Sequence, residues 1–159
     1  MTVGRDTSAE PPTPSVNPAL PAADITAAIE VINRFTLSAD ARDWGTAIGC
    51  LHDFVDFTAQ PAQPAATIPA FELVEQIKSA VLRFDATQHL VTNHVVASAP
   101  DGMTCTVSFR YEHLRDGRCW TLGGRQEYRL ARAAISWQIT GIAMRSTWQH
   151  GDRSLVPAP

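Results

Sequence analysis

The sequence is short of cysteine, of charge and of long apolar runs, and each shortage excludes something. Its 159 residues hold three cysteines, Cys50, Cys105 and Cys119. An odd, sparse set with no CxxC pair provides neither a disulfide framework nor a zinc knuckle, so all three read as small buried hydrophobes in a reduced setting. Charged residues make up 18% of the chain and the formal net charge is −3. A mildly acidic protein lacks the basic footprint that nucleic acid or anionic lipid requires. The apolar runs fall well short of the roughly 18 residues of a membrane helix. The first residues lack the apolar centre of a secretory signal, so a cytoplasmic location is expected. At 45% hydrophobic, the chain still has enough apolar material for one core, which rules out global disorder.

Organisation follows from punctuation and period. Residues 1–22 carry five prolines among Ser, Thr and Ala and read as a disordered tail. Residues 23–150 read as the folded domain and 151–159 as a short second tail. With Asp24 as N-cap, Ile25, Ala28, Ile29, Ile32 and Phe35 recur at helical spacing. Asp43 caps a short second helix carrying Trp44, Ala47, Ile48 and Leu51. Phe54 to Phe57 is a strand candidate, residues 59–66 a loop, and Pro69 opens a third helix through Phe71, Val74, Ile77 and Val81. After Phe84 the period falls from 3.6 to 2. Strands are expected over 89–98, 104–114, 119–130 and 135–145, with Gly123-Gly124 marking a bulge or a close approach. By alternation, Cys105, Val107, Phe109, Tyr111 and His113 share one apolar face. His94, five residues from His89, is expected on the opposite, outer face. Helices followed by antiparallel strands make an α+β pattern, and a curved sheet closed by helices leaves a mouth suited to a small molecule.

Several segments then carry a resemblance across residues 24–150: Ala39-Asp-Ala-Arg-Asp-Trp44, Phe84-Asp-Ala-Thr-Gln-His89, Asn93-His-Val-Val96, Trp120-Thr-Leu-Gly-Gly-Arg125 and Trp137-Gln-Ile139. In this order the sequence resembles the SnoaL-like branch of the nuclear transport factor 2-like superfamily. That implies a cone of three N-terminal helices packed on a curved mixed or antiparallel sheet. Within the branch it is most similar to scytalone dehydratase and bile-acid dehydratase. The resemblance implies that Asp40 orients His89, that His113 is a second catalytic histidine, that Gln126 meets the substrate, and that Arg145 stands near it. Where those enzymes carry tyrosines, this chain has Phe35, Ala39 and Phe57.

The implied chemistry stands on its own physics. A carboxylate bonded to one imidazole nitrogen fixes the tautomer and leaves the other nitrogen as a base. An iron site of two histidines and a carboxylate is the lesser alternative. No cofactor and no metal are expected. Phe35, Trp44, Phe57, Phe109 and Tyr111 are the candidate apolar lining beside Gln126 and Arg145. The expected function is a cofactor-independent dehydratase or isomerase acting on an apolar, oxygenated metabolite of polyketide or steroid type. A polyketide cyclase that works by folding its substrate and a non-catalytic binding protein are the alternatives. The resemblance also implies a homodimer through the outer sheet face, with no nucleic acid and no membrane as partner.

Overall fold

A computed structural model describes residues 20–59 and 64–156. Most of the expected N-terminal tail and parts of the 59–66 loop and the C-terminal tail lie outside those residues. The elements run α1 (Ala22–Ala41), α2 (Trp44–Gly49), β1 (Leu51–Thr58), β2 (Ala66–Pro69), α3 (Ala70–Val81), β3 (Ala86–Ala99), β4 (Gly102–Arg115), β5 (Arg118–Arg132) and β6 (Trp137–Gly151), then one 3-10 turn over Arg153–Leu155. Three helices pack on one six-stranded sheet of order β2-β1-β6-β5-β4-β3. The β1–β6 pair is parallel and the others are antiparallel. This is the expected α+β cone.

Pattern explains the packing. In α1, Ala28, Ile32 and Phe35 form one stripe and are buried, as a helix facing a sheet requires. They meet the inward row of β4, Met103, Cys105 and Val107, and that of β5, Tyr128 and Leu130, in one cluster. Removing a side chain the size of Ile32 from water is worth about 1.5–3 kcal/mol, so a dozen such residues supply the drive for folding. The backbone of α1 stops at Arg42, which is left-handed at φ 57°. Its guanidinium donates to the Phe84 carbonyl at 2.9 Å, tying the end of α1 to the start of β3.

Several details differ from the sequence reading. Pro21, not Asp24, is the N-cap of α1. The Asp24 carboxylate instead accepts from Trp137 Nε1 at 3.0 Å and from Arg132, because a partner on β6 is within its reach. β3 carries a bulge between Thr92 and Val95, with Asn93 at φ 56°. Asn tolerates that conformation, and the extra residue reverses the alternation. His94 therefore shares the side of Val96, which packs on the core, and its Nε2 is buried without a partner. Cys119 is exposed, since at the start of β5 it takes the outward parity; Cys50 and Cys105 are buried as expected. Residues 152–156 are more than a tail: Asp152 caps the 3-10 turn through Ser154 N at 2.9 Å, and Leu155 is buried.

Gly123-Gly124 does mark a register shift between β5 and β6. A Cβ on Gly124 would lie 2.0 Å from the Arg145 carbonyl oxygen. Backbone cannot swing aside as a flexible side chain can. Gly124→Ala is expected to cost about 2 kcal/mol, read as a lower urea midpoint at unchanged slope. An unchanged midpoint would mean that the two strands part there freely.

Candidate active site

The end of α1 lies over β3, and this brings Asp40 onto the strand that carries His89. The Asp40 carboxylate accepts three hydrogen bonds: Thr87 Oγ1 at 2.8 Å, the His89 backbone N–H at 2.7 Å and His89 Nδ1 at 2.5 Å. Burial pushes its pKa up, but the bonds and charge interaction with His89 and the bond from Thr87 outweigh this and hold Asp40 below the usual carboxylate range. An ionised carboxylate only accepts, so Nδ1 carries a proton, and in the neutral ring the lone pair then lies on Nε2. Neighbouring hydroxyls do not compete for Asp40: Thr36 and Ser38 donate back to carbonyls of α1.

His113 stands diagonally across β3 and β4, because His89 opposes Tyr111 and Thr87 opposes His113. The two imidazoles share a face, with centroids 5.6 Å apart and planes at 88°. Phe84 and Trp120 flank His113 at 4.7 and 4.9 Å. Burial, helped by the charge interaction with His89, lowers the His113 pKa to about 4. His113 is therefore neutral near pH 7, and its buried Nδ1 has no protein partner.

Gln126 forms the third polar point. Its Oε1 accepts from Tyr111 at 2.6 Å and Tyr128 at 3.0 Å. Both phenols are raised in pKa, first by burial, so they remain protonated donors. With the carbonyl oxygen engaged twice, the amide NH₂ is the end of Gln126 left to meet a ligand.

These groups line a cavity of about 310 Å³, at the small end of ligand pockets. His89, His113, Gln126, Tyr111, Phe35 and Phe57 all stand on its wall. Trp44, Phe109 and Arg145 do not. Trp44 opens α2 and packs against the core cluster. Phe109 is buried with its ring on Tyr111 at 4.6 Å. Arg145 opposes Arg125 across β5 and β6 and is exposed; strand alternation turns Met144 inward in its place. The sequence reading missed Arg83, Met144 and Val156 on the wall. Parity with Gln126 across β5 could have found Met144; nothing in the sequence pointed to Val156.

A family model described as a SnoaL-like domain matches residues 21–142. The chain belongs to the SnoaL-like family. Solved structures agree on the fold of this SnoaL-like protein. The Kfla4162 protein of Kribbella flavida has a TM-score of 0.73 and 24% identity, over 80% of this chain and 93% of its own. A hexachlorocyclohexane dehydrochlorinase, LinA-type3 of Novosphingobium barchaimii, has a TM-score of 0.69 and 13% identity, over 86% and 95%. A Novosphingobium aromaticivorans protein described as a candidate scytalone dehydratase has a TM-score of 0.70 and 12% identity, over 82% and 89%. No curated protein matches this chain. No described helix is long and apolar enough to cross a membrane.

Proposed function

We propose that this SnoaL-like protein is a cofactor-independent dehydratase or isomerase, with His89 as its general base and acid. The observation that carries the reading is the Asp40–His89 pair, bonded at 2.5 Å beneath the wall of a largely apolar cavity. Nε2 would take a proton from a carbon made acidic by a neighbouring carbonyl. In dehydration the C–H electron pair becomes the new C=C bond, the C–O bond breaks, and the imidazolium returns its proton to the departing hydroxyl as water. In isomerisation the same proton goes back to a more distant carbon. Neither route needs an outside oxidant or reductant. Asp40 stabilises the imidazolium between the two transfers. His113 and the Gln126 amide hydrogen-bond the substrate oxygens. The substrate class that suits this wall is an apolar, oxygenated metabolite such as a polyketide or steroid fragment. The candidate dehydratase and the dehydrochlorinase that share the fold are eliminating enzymes by description, which supports the class of reaction.

One observation favours a cyclase as the second reading. Both phenols near the cavity are spent on Gln126, so no tyrosine is free to polarise a carbonyl. Ring closure by holding the substrate folded needs none.

The tautomer tests the first reading without a substrate. In ¹⁵N spectra the wild type is expected to show His89 protonated at Nδ1, with a strongly downfield Nδ1 proton and a bare Nε2. Asp40→Asn is expected to abolish that downfield proton. A His89 ring protonated at Nε2 and bare at Nδ1 in the wild type would remove the base from the cavity and end the proposal.

A further inference from the structure

The Arg, Lys, Asp and Glu side chains that line the cavity and the groove beside it are all arginines, and the carboxylate of Asp40 lies beneath the wall against His89. Arg83 stands on the cavity wall, and a wider groove at the mouth is lined by Arg145 and Arg153. Cavity and groove share Trp120, Leu122, Met144 and Val156, so the two adjoin. Among the described residues, no Asp or Glu lines either space, although the chain as a whole has net charge −3. None of the three arginines has a carboxylate partner among the described residues. The nearest acids in sequence are engaged elsewhere, Asp152 by Arg118 at 3.0 Å and Asp85 by the Asp116 backbone N–H at 2.8 Å. Two of the cations bracket the aromatic rim. Arg83 directly precedes Phe84, the rings of Phe84, His113 and Trp120 follow in contact, and the Arg153 guanidinium lies 5.5 Å over the Trp120 ring.

We infer that the substrate carries an anionic group, a carboxylate or its chemical equivalent, which stays at the arginine-lined mouth while the apolar body enters the cone. The inference deepens the proposed function and rests on reading this cavity as the substrate site. Physically, an apolar wall accepts a charge poorly, so the charged end remains outside, where guanidinium groups with no carboxylate partner among the described residues can meet it. A uniformly positive rim also draws anions toward the opening.

A matched pair of dyes tests the inference on the full chain. Anilinonaphthalene sulfonate and phenylnaphthylamine present the same rings, one with an anion and one without, and both report binding by fluorescence. The wild type is expected to bind the sulfonate at least about fivefold more tightly. Arg83→Gln and Arg153→Gln are each expected to weaken it about threefold, and together about tenfold, while the neutral dye holds its affinity. Retained binding of the neutral dye shows that the variants are folded. Raising salt from about 20 mM to about 500 mM in the wild type should weaken only the sulfonate; this arm needs no variant. Equal affinity for the two dyes, or a sulfonate affinity indifferent both to salt and to the double substitution, would overturn the inference. The dyes read charge and not proton transfer. Their failure would leave the general-base reading standing, and a wrong His89 tautomer would leave the dye result standing.

Discussion

His89→Ala is expected to lower turnover by about 10²–10⁴-fold, the usual worth of a positioned acid–base group. Asp40→Asn should cost nearly as much, for a different reason. Asn keeps an oxygen that can accept from the His89 backbone N–H, now 2.7 Å from Asp40 Oδ2. Its NH₂ group, placed against Nδ1, would donate there and drive the ring proton to Nε2, where the lone pair is needed. The ring would keep its place and lose its function. Because the two residues act as one unit, the double variant should be little worse than either single one. The assay is water loss or double-bond migration followed by mass and ultraviolet absorbance on the substrate found by screening. kcat and kcat/KM should fall together, since proton transfer belongs to the transition state alone. A His89→Ala enzyme within a few-fold of wild type would leave the dyad structural, and the shape-driven cyclase would take its place.

The pieces that were legible in the sequence share one property: they depend on period. The apolar stripe of α1, the cap at Asp43 and the alternation of β4 and β5 follow from local spacing, and the helices-then-strands order follows from them. The pieces that were missed depend on tertiary reach. Counting by twos puts His94 outside, but one left-handed Asn93 adds a residue and turns it in. The strand β2 spans four residues ending in Pro69 and exists because β1 offers it an edge, which no short, proline-flanked segment announces. Leu155 is buried by a turn that needs Asp152 as its cap and Arg118 as its anchor. The candidate site divides in the same way. Asp40, His89, His113 and Gln126 came from motif resemblance, and the fold brings them to one cavity or directly beneath its wall. Arg145 came from an alignment near a strand end, where one residue's slip exchanges inside for outside. Arg83 carried no sequence signal, because a lone arginine after a helix is ordinarily a solvated charge.

Lowering the pH should weaken the fold through His113, and the sign follows from where its protons go. In the unfolded chain a histidine titrates near 6.5, whereas in the fold burial holds His113 down at about 4. Between those values the unfolded state binds a proton that the native state refuses. Unfolding therefore becomes easier as pH falls through this window, by up to about 1.4 kcal/mol per unit and about 3 kcal/mol in all. His94, lowered by burial, acts in the same direction. Asp40, held low chiefly through His89 against the effect of burial, adds its own loss only below the ordinary carboxylate range. Urea unfolding at pH 7 and at pH 4.5 measures the sum. The wild type should lose about 2–3 kcal/mol between them. His113→Phe keeps a ring between Phe84 and Trp120 and removes the proton, so its loss should be less than half as large. At pH 7 its stability should change little, because the unpartnered Nδ1 leaves with the substitution and so does the ring's bond to the Trp120 backbone. Equal losses in the two proteins would mean that His113 is protonated in the fold with little penalty. The same reasoning constrains catalysis. A residue already neutral above about pH 4 can donate or accept a hydrogen bond but cannot produce an acid limb in turnover near neutrality, so any such limb must be traced to another group in the cavity.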